Sequence, residues 1–241
     1  MGMDDAARPL PRRSDAGRLR FQQRDLDGLL LCAEHYAAPY DLLAAALGAR
    51  PARLRAITAR WRAAGYAQTG VVGPGPAWCW LTAAGMAACG HPWPARPPSL
   101  ARLAHIRAVL AARLWLASAP AYAQAGAWWR SERRIRAALP SNAGAAHIAD
   151  AEIHWPSAPP GPRSGQVWAV EVELTPKTAA RTARIMAGLL AARYAQVVYL
   201  VSPAARPVVT GTAGALPGPQ RDRVAVRDLP PHAFLPPAVT R

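Results

Sequence analysis

Four residues in the second half of the chain have side chains suited to binding a divalent cation. Asp150 lies in the alternating segment HIADAEIHW, and Glu171 and Glu173 stand two positions apart in a second one, VWAVEVEL. Lys177 follows four residues after Glu173. Alternate residues of a strand share one face, and facing side chains of adjacent antiparallel strands lie within about 5 Å. We therefore expect Asp150 and Glu171 to bind Mg²⁺ or Mn²⁺.

The chemistry of such a site would be attack of water on a phosphodiester, because a bound cation polarises an ester oxygen and lowers the pKa of the water. Lys177 would orient that water or stabilise the developing negative charge. Glu173 would complete the metal shell or act as a base. The alternative is structural: the acids lie on a solvent-facing side of a sheet and pair with Arg133, Arg134 or Arg181.

The distribution of charge favours a special role for this region. No acidic residue stands between Asp41 and Glu132, and five acids then fall between Glu132 and Glu173. Lys177 is the one lysine among 29 basic residues. Arginine is a planar, permanently charged fork, whereas lysine is a compact charge with a tunable pKa. A lysine retained only beside the acids indicates that this position needs an amine.

The charge of the whole chain predicts a polyanionic partner. The 241 residues carry a net charge of +15, with an isoelectric point near 11.3. Such a chain is expected to bind nucleic acid, or less often an acidic membrane. Because 51 % of the residues are hydrophobic, global disorder is excluded and one large domain or two small ones are expected.

The clearest basic pattern is a predicted helix over residues 52–64. Leu54, Ile57 and Trp61 form one stripe, alanines 52, 56, 59 and 63 lie opposite, and Arg53, Arg55, Arg60 and Arg62 flank the alanines. Small residues let a helix approach a DNA groove while arginines reach phosphates or guanine edges. Two short strands around a turn at 73–76 then predict a winged helix-turn-helix. The alternative is a three-helix bundle with solvated arginines.

Composition divides the chain into five segments. We predict a flexible basic arm (1–23), a winged-helix DNA-binding domain (24–90), a linker with a connecting helix (91–127), a nuclease-like domain (128–230) and a tail (231–241). The connecting helix is expected to run from Ser99 to Ser118, with Leu100, Leu103, Ile106, Leu110 and Leu114 inward.

The second half predicts the order helix, strand, strand, helix, strand. The elements are a basic helix at 128–139, strands at 147–155 and 167–174, a helix to residue 193 and a strand at 196–201, with a weak strand at 223–226. Thr175 is expected to cap the second helix, with Pro176 at its first position, which places Lys177 in the first turn. The fold class is therefore α+β or α/β.

Several classes of protein are excluded. Three cysteines without zinc spacing argue against a disulfide scaffold or a structural zinc, and we expect a cytoplasmic protein. No membrane span or signal peptide is predicted. The six histidines include no His-x-His pair, and no Gly-Lys-Ser/Thr phosphate loop or nucleophile elbow occurs.

The segment 129–201 resembles the PD-(D/E)xK restriction-endonuclease-like fold. Asp150 matches the first acid of that motif and Glu171 the second, while Glu173 replaces the usual lysine and Lys177 follows four residues later. This spacing resembles the C-class plasmid mobilisation relaxases. The opening RDLDGLLLCAEH (24–35) and the segment WLTAAG (80–85) are similar to the actinobacterial replication-relaxation family. The resemblances cover about residues 24–205 and imply a winged helix joined to a nuclease fold.

Two functions follow. The first is a Mg²⁺- or Mn²⁺-dependent DNA nickase or relaxase of a mobile element, acting on duplex DNA at a transfer or replication origin. Single-stranded DNA and other transfer or replication proteins would be further partners. The second is a non-catalytic DNA-binding regulator or replication accessory with a degenerate nuclease fold, consistent with Glu173 at the lysine position.

Overall fold

The protein is a mixed α/β structure with two sheets, seen in a computed structural model. The structure describes residues 21–140, 147–158, 161–192 and 194–234. The predicted basic arm lies almost wholly outside these ranges, as does most of the predicted tail. Within them, no helix is long and apolar enough to cross a membrane.

The N-terminal unit combines four helices with a small antiparallel sheet of strand order β1-β3-β2. Its elements are α1 (Gln23–Glu34), β1 (Ala38–Pro39), α2 (Tyr40–Ala46), α3 (Pro51–Ala63), β2 (Ala67–Gly70), β3 (Trp78–Leu81) and α4 (Ala83–Ala88). The predicted pair of strands is confirmed, with Thr69 opposite Cys79. Asp41 lies in the first turn of α2, and its carboxylate binds Arg107.

The stripe predicted on α3 is confirmed by burial. Leu54, Ile57 and Trp61 are buried, while alanines 52, 56, 59 and 63 are exposed. Helix α1 packs so closely on this stripe that a Cβ atom at Gly28 would overlap the Trp61 ring. The same contact is fixed by Asp25, only 1 % exposed, which accepts hydrogen bonds from the Trp61 indole (2.9 Å) and from Arg60 (2.8 Å).

The connecting segment differs from the single helix predicted. A 3₁₀ turn (Leu100–Arg102) leads into α5 (Leu103–Ala117), and a short α6 (Pro120–Gln124) follows. Leu100 is 64 % exposed, so its predicted inward position is wrong, whereas Leu103, Ile106 and Leu110 are buried as expected. The 3₁₀ turn rotates Leu100 away from the face that α5 buries.

The C-terminal unit is built on a five-stranded mixed sheet of order β4-β5-β6-β7-β8. Its elements are β4 (Trp128–Ser131), α7 (Glu132–Ala138), β5 (Ala151–His154), β6 (Val167–Glu173), α8 (Ala179–Ala191), β7 (Gln196–Val201), α9 (Arg206–Gly214), α10 (Gly218–Arg221) and β8 (Val224–Asp228), followed by a 3₁₀ turn (Pro231–Ala233). β4, β5 and β6 pair antiparallel, and β6, β7 and β8 pair parallel. The predicted sequence of helix, strand, strand, helix, strand is present within this larger set.

The prediction of one helix over 128–139 is wrong in its first third. Trp128 and Trp129 instead form edge strand β4, opposite His154 and Ile153. The hydroxyl of Ser131 accepts a hydrogen bond from the Arg134 backbone N–H and so caps α7. The two tryptophans gain cross-strand packing that a helix start would not provide.

The prediction that Lys177 lies in the first turn of a helix is also wrong. The hydroxyl of Thr178 accepts from the Arg181 backbone N–H, so Thr178, and not Thr175, caps α8. Pro176 and Lys177 therefore belong to the loop between β6 and α8. This keeps Lys177 near the end of β6 instead of directing it along the helix.

The two units share one hydrophobic core. On one face of the large sheet, a cluster runs from Leu29 and Trp61 through α5 to Val170 and Leu200. The other face packs against α8 and α9 through Met186, Val209 and their neighbours.

Buried and half-buried ion pairs reinforce the contact between the units. Glu34 at the end of α1 pairs with Arg113 of α5 (2.6 Å) and Arg134 of α7 (2.5 Å). The buried Arg133 donates to the backbone carbonyls of Ala33 (2.8 Å) and Pro94 (3.1 Å). Bonds from one unit into the other make the pair a single packed body.

We expect the replacement Asp25→Ala to lower the free energy of unfolding by about 2–4 kcal/mol, because it leaves the buried Trp61 indole N–H and the Arg60 guanidinium without their acceptor. Denaturant titration measures the change. Asp27→Ala is the matched control, since Asp27 is exposed and, among the described residues, binds only Gln23; it should change stability by less than about 0.5 kcal/mol. Equal effects of the two variants would contradict this account of α1 and α3.

Candidate active site

The strand register brings the first two predicted acids together. Ala151 of β5 pairs with Val170 of β6, so Asp150, just before β5, stands opposite Glu171. Glu171 and Glu173 lie on the same face of β6 as Ala169, the face that packs against α8. Both glutamates are buried, whereas Asp150 is partly exposed.

Histidines pair with the two facing acids. Asp150 Oδ1 lies 2.9 Å from His105 Nε2 of α5, and its Oδ2 accepts a hydrogen bond from the Val172 backbone N–H at 2.8 Å. Glu171 Oε1 lies 2.9 Å from His147 Nε2. Asp150 thereby joins α5 to β6, and each carboxylate has a titratable partner.

The lone lysine also reaches this cluster. Lys177 Nζ donates to Glu173 Oε2. Burial raises the pKa of Glu171, and the positive charge of Lys177 opposes that rise. We name Asp150, Glu171, Glu173, Lys177, His105 and His147 the acidic cluster.

Two of the three arginines proposed as structural partners are engaged elsewhere. Arg133 and Arg134 bind α1 and the segment after α4, as described above. Among the described residues, Asp150, Glu171 and Glu173 form no salt bridge with any arginine, and Arg181 forms none at all. On the neighbouring strand β5, Glu152 does pair with an arginine: it contacts Arg130 at 3.2 Å and also accepts a hydrogen bond from the Tyr194 hydroxyl.

Burial dominates the electrostatics of the acidic cluster. Removal from water, and then the negative charge of Asp150, raise the pKa of Glu171 to about 7, against the opposing effects of His147 and Lys177. The hydrogen bond to Glu171 raises the pKa of His147. Burial acts to lower the pKa of His105, but the hydrogen bond to Asp150 and the negative charge of Asp150 together outweigh burial, and the pKa is raised. Glu171 and its partner His147 therefore titrate as a pair.

A buried tyrosine lies beside the acids. Tyr199 of β7 pairs with Glu171 in the parallel register, and its hydroxyl is buried with no hydrogen-bond partner among the described residues. Burial, followed by the charges of Glu171, Glu173 and Asp150, raises the pKa of Tyr199. An unpartnered hydroxyl is costly in a protein interior. Tyr199 therefore places a polar group without a partner among the described residues next to the buried carboxylates.

His105, His147 and Tyr199 are the site residues that sequence reasoning missed. Their contacts join positions far apart in the chain. His147 opens the same segment as Asp150, which offered a weak signal, and nothing in the sequence connects His105 with Asp150. In the described residues, no three His, Cys, Asp or Glu side chains are gathered as a ready-made set of metal ligands.

The predicted DNA-contacting arginines divide into two groups. Arg53, Arg55 and Arg62 are exposed beside the alanine face of α3, and within the described ranges they form no salt bridge. Arg60 is held by Asp25 and so contributes to the contact between α1 and α3. The turn between β2 and β3 does not extend freely, because Gly73 packs closely against Leu100 and Leu103.

Two comparisons of the sequence with known proteins found no match. No protein-family model matches the chain, and no curated protein has a significantly similar sequence.

The raised pKa of Glu171 predicts a pH-dependent penalty on folding. Because the folded pKa (about 7) lies above the ordinary value of 4.5, the folded protein binds more protons between these values, and stability falls as the pH rises through that window. Glu171→Gln removes the penalty. We expect this variant to be more stable than the parent by about 2–3 kcal/mol near pH 8 and equal to it near pH 4. Denaturant titration across pH tests this, and parallel stability profiles would contradict it.

Proposed function

We propose that the protein is a divalent-cation-dependent DNA nickase or relaxase that acts at a transfer or replication origin of a mobile element. The observation that carries the proposal is the meeting of Asp150, Glu171, Glu173 and the chain's only lysine at one end of β5 and β6. Acids of this kind with a nearby amine are suited to phosphodiester cleavage.

The order of elements supports this proposal. The N-terminal series α1-β1-α2-α3-β2-β3, with its antiparallel sheet β1-β3-β2, matches the order of elements expected of a winged helix-turn-helix. The C-terminal series α7-β5-β6-α8-β7 matches the order expected of a PD-(D/E)xK core, with Asp150 just before its first strand and Glu171 on its second. We propose on these grounds that the chain is related to the replication-relaxation and C-class mobilisation proteins.

The donor set fits a hard cation such as Mg²⁺ or Mn²⁺. Mg²⁺ is commonly held by one or two carboxylates, with waters and substrate phosphates completing its shell. Asp150 and Glu171 would be those carboxylates, so a third protein ligand is not required. Burial of Glu171 beside Asp150 makes two negative charges unfavourable there, and a cation would relieve that repulsion. When bound, the cation would supply polarisation of the scissile phosphate and activation of water.

The chain's own residues would then position the reaction. Glu173 holds Lys177 Nζ at the end of β6, where the amine would stabilise negative charge developing on the phosphate. His105 contacts one oxygen of Asp150, and His147 contacts one oxygen of Glu171. They would keep the carboxylates oriented and would release them when a cation takes their place.

Recognition of duplex DNA would rest on α3. Its exposed face presents alanines between Arg53, Arg55 and Arg62, and no acidic residue occurs from 42 to 131 to oppose them. Arginines on such a face bind phosphates or guanine edges while small residues permit close approach. Arg60, held by Asp25, would act by orienting α3.

A second candidate function is favoured by one observation. Each carboxylate already has a histidine or lysine partner, and no three-ligand group is formed among the described residues. A chain that had lost catalysis would retain such a neutralised cluster as part of its core. It would then serve as a DNA-binding regulator or replication accessory.

Nicking of supercoiled plasmid carrying the element's origin separates the two. We expect relaxed product in Mn²⁺ or Mg²⁺, reduced by about a hundredfold or more in Glu171→Gln and Lys177→Ala. Asp228→Asn is the control, since Asp228 is exposed and pairs with Arg206 at the far edge of the sheet. Relaxed product in neither metal, or equal rates in all variants, would defeat the catalytic proposal. Calorimetric titration with Mn²⁺ should show binding that Glu171→Gln abolishes.

Duplex affinity tests the role of α3. Arg53→Ala, Arg55→Ala and Arg62→Ala should each weaken binding and lower the slope of log affinity against log salt by about 1. Arg60→Ala should instead lower the free energy of unfolding. Arg221→Ala, exposed on α10, is the control and should leave affinity unchanged. Fluorescence anisotropy over a salt series measures both quantities, and equal effects of Arg221→Ala and the α3 variants would contradict this interface.

A further inference from the structure

An open aromatic cleft lies on the face of the large sheet opposite α8 and α9. Its volume is about 380 Å³, and it separates the end of α5 and α6 from strands β5 to β8. Trp115 and Tyr122 line the helical side, and Trp155 and Trp168 line the sheet side. Trp115 is 40 % exposed, so a broad indole is open to a ligand without any rearrangement of the core.

Two arginines give this cleft a positive charge. The guanidinium of Arg163 lies 4.8 Å from the ring centre of Trp155 and 5.3 Å from that of Trp168. Arg227 shares the cleft face of β8 with Ala225, whereas the next residue, Asp228, points to the other face and pairs with Arg206. Among the described residues, no acidic side chain lines the cleft.

We propose that this cleft binds single-stranded DNA. Bases would stack on the exposed ring of Trp115 and on the outer plane of Arg163, as bases stack on aromatic and guanidinium planes in single-strand-binding proteins. Arg227 would bind a backbone phosphate. This inference rests on the proposed function, because the ligand would be the single strand that is released when the protein nicks a duplex.

Charge favours this occupant over a second copy of the chain. Each copy carries a net charge of +15, and pairing two clefts would bring Arg163 and Arg227 of both copies together without a counter-charge. A polyanion with flat bases matches both features of the surface at once, because its phosphates neutralise the arginines and its bases cover the rings.

Binding of a fluorescein-labelled oligodeoxythymidine, measured by anisotropy in EDTA, tests the proposal without requiring catalysis. Trp115→Ala should weaken binding by about tenfold, in keeping with the contribution of one stacked base. Trp115→Phe should retain most of the affinity. Arg227→Ala should weaken binding and reduce the salt slope by about 1. None of these variants should alter affinity for duplex DNA or the rate of plasmid nicking per bound duplex.

Matched controls make the outcomes decisive. Trp128→Ala removes a tryptophan of similar exposure (48 %) from edge strand β4, and Arg221→Ala removes an exposed arginine outside the cleft; both should bind the oligonucleotide like the parent. Unchanged affinity in Trp115→Ala and Arg227→Ala, or equal losses in the controls, would overturn the proposal. A dimer in sedimentation that Trp115→Ala dissolves would overturn it in favour of self-association. Loss of nicking alone would overturn the proposed function and leave the cleft standing.

Discussion

The pairing of β5 with β6 is the constraint on which the acidic cluster depends. With Ala151 opposite Val170, Asp150 must face Glu171 across the end of the sheet. A slip of one residue would turn Glu171 to the opposite face of β6, where Val170 and Val172 pack into the core. The facing pair then determines the rest, since two close carboxylates, one of them buried, require nearby protons or cations. His105 of α5, His147 and Lys177 supply them from three different parts of the chain.

Local periodicity accounts for what could be predicted. The stripe of Leu54, Ile57 and Trp61 repeats at helical spacing, and VWAVEVEL alternates as a strand does, so α3 and β6 were accessible from sequence. The helix predicted over 128–139 includes Trp128 and Trp129, whereas cross-strand pairing with His154 and Ile153 places both tryptophans in β4. Helix α9 contains two glycines and β-branched residues and is maintained by packing against α8 and β7.

Only those members of the acidic cluster that local periodicity connects can be predicted from the sequence. Asp150, Glu171 and Glu173 are connected by strand alternation and by one antiparallel pairing, both visible as pattern. The contact of His105 with Asp150 depends on where α5 lies over the sheet, which no local pattern encodes. The sequence predicts that a helical turn brings Lys177 close to Glu173. In the structure, a loop and not a helical turn places the Lys177 amine at the end of β6.

The high arginine content serves two purposes that net charge alone does not separate. Arg53, Arg55 and Arg62 are exposed and available to a polyanion. Three other arginines bind groups of the protein itself. Arg60 binds Asp25, the buried Arg107 binds Asp41, and the buried Arg133 binds backbone carbonyls. In the proposed function, the exposed position of an arginine, and not the total charge, would mark the surface that binds DNA.

Because Glu34 binds arginines of both α5 and α7 and the core runs unbroken beneath them, helix α3 and the acidic cluster are parts of one rigid frame. In the proposed function, such a frame would hold α3 and the acidic cluster at a fixed separation on a bound duplex. Any cut would then fall at a set number of base pairs from the site that α3 binds, so that the frame would act as a ruler.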